Sequence, residues 1–125
     1  MTTSGPTPDV VAELRGICLA FPEATEKSFG GHEAPSFRVA EKLFVVLAED
    51  GSALTLKAAP GEQSLLVSAD PARFFVPAYV GSKGWVGVRL THPVDWEEVA
   101  ELIEDSYRLI APKALVRRLE SERGA

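Results

Sequence analysis

The central part of the chain is a run of alternating apolar segments separated by very short connections. The stretch SFRVAEKLFVVLAEDGSALTLKA predicts strands near residues 36–39, 43–48 and 53–58, with only AEK and EDGS between them. Asp50-Gly51 is a strong hairpin signal, and connections this short can join only antiparallel neighbours. The sequence therefore predicts an antiparallel meander as the base of the fold, with the apolar FVVL segment as a central strand covered at least in part on both faces.

Helical patterns lie before and after this meander. Apolar residues recur at helical spacing from Val10 to Phe21, and Thr7-Pro8 is a suitable helix start. Asp95 is expected to cap a long helix, in a capping box with Glu98, that Pro112 interrupts.

The remaining segments complete one predicted domain over residues 1–125. A short helix follows Pro60, and two further strands are expected near 77–80 and 85–90. The predicted fold class is α+β, with an antiparallel sheet of about five strands packed by helices in the order helix, three strands, helix, two strands, helix. Residues 1–6 are expected to be a loose N-terminus and residues 120–125 a frayed C-terminus.

Composition limits the function classes. The chain has 125 residues and a formal net charge of −5, which argues against strong non-specific affinity for nucleic acid. Cys18 is the only cysteine and falls on the apolar stripe of the first helix, so we expect a buried thiol and a reducing compartment. The N-terminus lacks the features of a signal peptide and no stretch is long and apolar enough to span a bilayer, which predicts a cytoplasmic protein with no membrane partner.

No motif in the sequence indicates catalysis. HEAPS, at residues 32–36, begins like the zinc-protease HExxH motif, but it lacks the second histidine and Pro35 would break the required helix. One cysteine and two histidines do not make a structural zinc site, and there is no GxSxG elbow for a serine nucleophile. We therefore expect no catalytic residue, no metal ligand and no cofactor, and we predict that the protein is not an enzyme.

Three glycines stand in the stretch GSKGWVGVRL, at residues 81–90. They lead into a strand rather than a helix, and their spacing fits neither GxGxxG nor GxxxxGK, so this is not a phosphate-binding loop. Strand alternation places Trp85, Gly87 and Arg89 on one face. Either Gly87 leaves a notch beside an exposed Trp85, or the glycine marks a bulge and Trp85 packs in a second layer.

The chain resembles the MmcQ/YjbR family of small bacterial proteins over about residues 12–119. The segments that carry the resemblance are GHEAPSFRVAEKLFVVL, LTLKA, DPARFFVPAYVGSKGWVGVRL and VDWEEVAELIEDSYRLIAPKAL. Their most specific elements are Gly31-His32 before Phe37-Arg38-Val39, then Lys42, Lys57, Asp70-Pro71, Gly81 with Gly84-Trp85, and Ser106-Tyr107.

The resemblance implies a compact α+β fold, similar to secretion-chaperone-like and frataxin-like arrangements. It also implies DNA binding by the sheet and its hairpins, on the idea of a double-winged surface, and it brings no catalytic residues. The acidic balance departs from that expectation, and the SKGWVG hairpin offers only Lys83 for a phosphate contact.

Two binding hypotheses remain. The first is a DNA-binding or regulatory domain; the second is a module that binds a small anionic ligand or a protein partner through His32, Lys57, Trp85 and Arg89. The full set of candidate residues is His32, Arg38, Lys42, Lys57, Lys83, Trp85 and Arg89. Basic residues clustered on one open surface would favour the DNA-binding hypothesis. A closed pocket of His32, Lys57 and Trp85 would favour the hypothesis of a small ligand or protein partner.

Overall fold

Six strands and four helices are present in residues 8–28, 34–91 and 93–124, the residues that the computed structural model describes. The helices are α1 (Pro8–Cys18), α2 (Glu62–Ala69), α3 (Trp96–Ile110) and α4 (Lys113–Gly124). The strands are β1 (Thr25–Ser28), β2 (Pro35–Val39), β3 (Lys42–Leu47), β4 (Ala53–Lys57), β5 (Phe74–Phe75) and β6 (Trp85–Arg89).

The strands form one sheet in the order β1-β2-β3-β4-β6-β5, and every neighbouring pair is antiparallel. The predicted meander is confirmed as β2, β3 and β4, with β3 near the centre. The α+β class is confirmed as well, with six strands in place of about five.

One strand was not predicted, and one strand prediction and one terminus prediction differ from the structure. β1 has the sequence TEKS, which contains no apolar residue, so hydrophobic alternation gave no sign of it. The strand predicted at 77–80 is wrong: this segment is a loop, and Phe74-Phe75 pair with β6 instead. α4 continues to Gly124, where a frayed end was predicted, while residues 1–6 lie outside the described residues.

The helices cover one face of the sheet. Cross-strand partners have their side chains on the same face, and the register places Phe37, Val45, Leu56 and Val86 in one row. All four side chains are fully buried. α3 packs on β3 and β4, and α1 packs on α3, so this row forms the floor of the core.

The α3 helix begins at the predicted cap, Asp95, but the Glu98 carboxylate pairs with Arg73 and not with the Asp95 N–H that the predicted capping box requires. The Asp95 carboxylate accepts a hydrogen bond from the Glu98 backbone N–H at 3.1 Å, which satisfies one free donor of the first turn. The Glu98 carboxylate pairs with the Arg73 guanidinium, which ties the start of α3 to the segment before β5. α3 ends before Pro112, at the predicted break.

A buried serine fixes α3 to the middle of the sheet. The β3–β4 ladder ends at Val45 and Leu56, so the next pair in register would be Phe44 and Lys57. Ser106 stands between them: its hydroxyl donates to the Phe44 carbonyl at 2.7 Å and accepts from the Lys57 N–H at 3.0 Å. Phe44 is also the extra residue where the β2–β3 register shifts, so the hydroxyl pairs with the carbonyl of the bulge residue and with an N–H at the end of β4.

Tyr107 joins α3 to the end of α1. Its hydroxyl donates to the Pro22 carbonyl at 2.7 Å, and its ring stacks on Phe21 with centroids 4.8 Å apart. The edge of the Phe44 ring completes the aromatic cluster at 5.5 Å from Tyr107.

We predict that Ser106→Ala costs about 2 kcal/mol of folding free energy, because a buried donor and a buried acceptor both lose their partner. Ser64→Ala, at an exposed position of α2, is the matched control and should change the stability little. Urea unfolding of both variants measures the difference. Equal unfolding midpoints for the two variants would contradict the bridging role of Ser106.

We further predict a pH dependence that comes from Cys18. The thiol is 0% exposed, and burial, with a smaller contribution from the Glu26 carboxylate, raises its pKa. The unfolded chain therefore releases this proton near its ordinary pKa while the folded protein keeps it, so stability is complete below about pH 8.5 and falls as the pH rises further.

The loss should approach about 1.4 kcal/mol per pH unit above that point, and Cys18→Ala should lack this component. Unfolding free energies of both proteins between about pH 7 and pH 10 test it. Parallel pH profiles, or rapid labelling of the native thiol by an aromatic disulfide reagent, would show that Cys18 is not buried in solution.

Candidate nucleic-acid interface

The second face of the sheet is not covered by the helices. By register, Ser36, Val46, Thr55 and Gly87 lie in one row across this open face. In this row Val46 and Thr55 are half-buried and Ser36 and Gly87 are buried, whereas all four residues of the row on the helical side are buried. We call this surface the open face; its side chains are Thr25, Lys27, Ser36, Arg38, Leu43, Val46, Ala53, Thr55, Lys57, Phe75, Trp85, Gly87 and Arg89.

The open face carries four basic residues: Lys27, Arg38, Lys57 and Arg89. None of the strand residues that the structure describes on this face is acidic. Lys42 and Lys83 are exposed in or beside the connections at the rim of the face. An acidic chain thus has one surface on which its strand charges are all positive.

The ion pairs of the described residues show the same difference in charge between the two sides of the sheet. Among the described residues, Arg15, Arg73, Arg108, Arg118 and Arg123 pair with carboxylates, and all lie on the helical side or at its edge. The Arg15 and Arg108 guanidinium groups donate hydrogen bonds to these carboxylates, and the bonds raise the pKa of both guanidinium groups.

Among the described residues, the basic residues of the open face have no such partners. In residues 8–28, 34–91 and 93–124, no carboxylate pairs with Lys27, Arg38, Lys57 or Arg89, nor with Lys42 or Lys83 at the rim. The ion pairs of the described residues therefore lie on the helical side, and the exposed carboxylates of Glu41, Glu49 and Asp50 lie in the β2–β3 and β3–β4 connections. The open face keeps its positive charge.

Two of these bases also have structural contacts. The Lys57 ammonium donates to the Lys83 carbonyl. The Arg89 guanidinium donates to the carbonyls of Pro71 and Ala72 at 3.2 and 3.3 Å. Neutral carbonyl acceptors leave the positive charge in place, so both residues can still attract an anion.

The Arg38 guanidinium is less completely satisfied. Its Nε is buried without a hydrogen-bond partner, and one terminal nitrogen lies 3.4 Å from the Glu41 carbonyl oxygen. This arginine therefore keeps hydrogen-bonding capacity that the described part of the fold does not use.

Neither explanation that the sequence offered for Gly87 is correct. Gly87 has no positive φ, so it does not mark a strained bulge. It also leaves no open notch, because the Phe75 ring occupies the space where a Cβ of residue 87 would lie. Phe75 is the cross-strand partner of Gly87, and the Arg89 guanidinium carbon lies 4.6 Å from the centroid of the same ring. Because Gly87 has no side chain, the Phe75 ring of the edge strand β5 can pack directly on the backbone of β6.

The structure brings together four of the seven residues predicted for the site. Arg38, Lys57, Trp85 and Arg89 lie on the open face, and Lys57 and Trp85 are direct cross-strand partners. Lys42 and Lys83 lie at its rim rather than on it, since Lys42 pairs with Val39, a core residue. His32 lies outside the described residues.

Sequence reasoning missed three residues here. Lys27 was missed because β1 has no apolar alternation. Phe75 was missed because its partner, Gly87, is identified only by strand pairing. Tyr79, an exposed residue of the loop between β5 and β6, was missed because the pattern of the PAYV segment predicts a strand.

A cleft between α2 and α3 has a mainly apolar lining, unlike the basic open face. Its volume is about 340 Å³ and its lining includes Leu56, Leu66 and Leu102. Within the described ranges, no group of three or more His, Cys, Asp or Glu side chains is arranged to hold a metal ion. No helix in these ranges has the length and apolar content to cross a membrane.

The fold and this surface define an α+β protein whose helices cover one side of an antiparallel sheet and leave a basic side open. The model of the YjbR family matches residues 19–109, and the chain therefore belongs to the YjbR family. Among solved structures it is similar to Deinococcus radiodurans protein DR2400, described as a DUF419 domain. The two share 26% sequence identity with a TM-score of 0.74, over 99% of this chain and 92% of the other. No curated protein matches the chain.

We predict that Gly87→Ala destabilises the protein by on the order of 1–3 kcal/mol, because the new Cβ forces the Phe75 ring off the sheet. In a Phe75→Ala background the same change should cost little, since the ring is gone. Urea unfolding of the four proteins in this double-mutant cycle gives the coupling between the two sites. If Gly87→Ala lowers the free energy of unfolding equally in both backgrounds, the position of the Phe75 ring does not depend on the glycine.

Proposed function

We propose that this protein binds DNA through the open face of its sheet. The observation that carries the proposal is the separation of charge: the open face has four bases without carboxylate partners and no acidic strand residue among those described. A DNA backbone presents a regular array of negative charges, which is the ligand that such a surface complements. The proposal assigns binding, and no catalysis, to this face.

The shape of the surface supports an extended ligand. Lys27 on β1 and Arg89 on β6 lie on opposite sides of the central strands β3 and β4. These two residues lie on the first and the last of five neighbouring strands. At a spacing of about 4.8 Å between strands they are about 19 Å apart, a distance longer than most small anions. Lys57 and Trp85 are neighbours on this open surface, and the bases are spread across it.

The overall charge of −5 remains compatible with this proposal, because the acidic residues lie mainly on the helices. A negative helical side would repel phosphate and orient the protein so that only the open face approaches the DNA.

The test is a fluorescence titration with a DNA oligonucleotide at several salt concentrations. The logarithm of the binding constant should fall linearly with the logarithm of the salt concentration. Lys27→Ala and Lys83→Ala should each make that slope shallower by about one unit and weaken binding to a similar extent for different sequences. Lys57 is less suitable, because its ammonium also holds the Lys83 carbonyl.

Arg117→Ala is the matched control, since Arg117 is an exposed base of α4 without a carboxylate partner among the described residues. It should leave both the affinity and the slope nearly unchanged. Absence of DNA binding at low salt, or equal slopes for Lys27→Ala and Arg117→Ala, would overturn the proposal. Saturable binding of a small anion in place of DNA would favour the small-ligand hypothesis.

A further inference from the structure

The loop between β5 and β6, residues 76–84, presents an unusual tyrosine. We call this loop the wing. Tyr79 is 98% exposed and has a φ of +69°. A bulky residue rarely adopts this left-handed conformation, and holding it there costs free energy. Tyr79 therefore adds strain to the fold and contributes no burial in return.

The wing around Tyr79 is held in place by several contacts. The Gln63 side-chain amide donates to the carbonyls of Gly81 and Trp85 at 2.7 and 2.6 Å. The Lys57 ammonium holds the Lys83 carbonyl, and the Gly81 N–H donates to the Pro77 carbonyl at 3.1 Å.

The side chain of Val76 occupies the space where a Cβ of Gly81 would lie, so the wing is packed against itself. Tyr79 is thus an exposed ring on a supported loop. An aromatic ring presented in this way can stack on a ligand with a small loss of conformational entropy.

We propose that Tyr79 stacks on an unpaired base, and that the ligand of the open face is single-stranded DNA. This inference rests on the proposed function, because it takes the open face as the binding site for the phosphate backbone. The wing begins and ends at that face: Phe75 precedes it and Trp85 follows it. Lys83, exposed in the same wing, adds a positive charge to this loop.

The chemistry of the ring favours a single strand over a duplex. The faces of the bases in a duplex are covered by their neighbours, whereas a single strand offers each base for stacking on an aromatic side chain. The side chains that wedge between base pairs are usually Phe, Leu, Ile, Met or Pro, which lack a polar group at the tip. Stacking of a nucleobase on an aromatic side chain depends little on the DNA sequence. This suits a surface whose Lys and Arg side chains contact the phosphate backbone.

The experiment compares wild type, Tyr79→Ala and Tyr79→Phe on three probes: a thymidine oligonucleotide of about twelve nucleotides, an abasic strand of the same length and a duplex. We expect Tyr79→Ala to weaken binding of the thymidine strand by about tenfold. Tyr79→Phe should retain the affinity, and on the abasic strand all three proteins should bind alike. The salt slope should be the same for all three, because Tyr79 contacts no phosphate.

Each contrary outcome has a distinct meaning. If the wild type binds none of the probes at low salt, the proposed function fails and this inference fails with it. If the wild type binds but prefers the duplex, or Tyr79→Ala binds the thymidine strand as tightly as the wild type, only the stacking proposal is overturned. An equal loss on the abasic strand would also overturn it.

Tyr79→Gly separates binding from folding. Glycine adopts a positive φ without strain, so this variant should have a higher melting temperature than the wild type while binding the thymidine strand as weakly as Tyr79→Ala. A lower melting temperature would mean that Tyr79 supports the fold, and would contradict its role as a ligand-stacking residue.

Discussion

The arrangement of the fold depends on one buried hydroxyl group. Ser106 accepts from Lys57 and donates to Phe44 at the point where the β3–β4 ladder ends, so α3 is joined to the sheet by hydrogen bonds as well as by apolar packing. Tyr107, the next residue, extends the attachment to Pro22 beyond α1. α1 packs against α3, and α2 and α3 line a common cleft, so these helices lie on the same side of the sheet. The opposite side of the sheet is then left open to a ligand.

This asymmetry in packing is accompanied by an asymmetry in charge. On the helical side the acidic residues of α3 and α4 meet arginines in ion pairs, for example Glu104 with Arg108 and Arg123. Such partly exposed pairs contribute little to stability individually, but they cancel the local field. The open face has no equivalent acidic residues on its described strands, so a protein with a net charge of −5 still offers a positive surface. Net charge alone is therefore a poor guide to the charge of a single surface of this chain.

The sequence predicted the parts of the fold that depend on local patterns. The meander follows from short connections between alternating strands, and Asp95 follows from helix-capping preferences. The misassigned segment at 77–80 shows the limit, because an apolar pattern does not reveal that Tyr79 takes a positive φ. The role of Gly87 depends on Phe75, a residue of another strand, and pairing between distant segments is not visible in one sequence. Four of the seven predicted residues, Arg38, Lys57, Trp85 and Arg89, lie on the open face, but their grouping on one face required the strand order.

The most direct test of the account is amide chemical-shift mapping during titration with a mixed-sequence single-stranded DNA. The open-face account predicts that the shifted amides lie in β2, β4 and β6 and in the wing, with α4 unaffected. Shifts concentrated around the apolar cleft between α2 and α3, lined by Leu66 and Leu102, would contradict it.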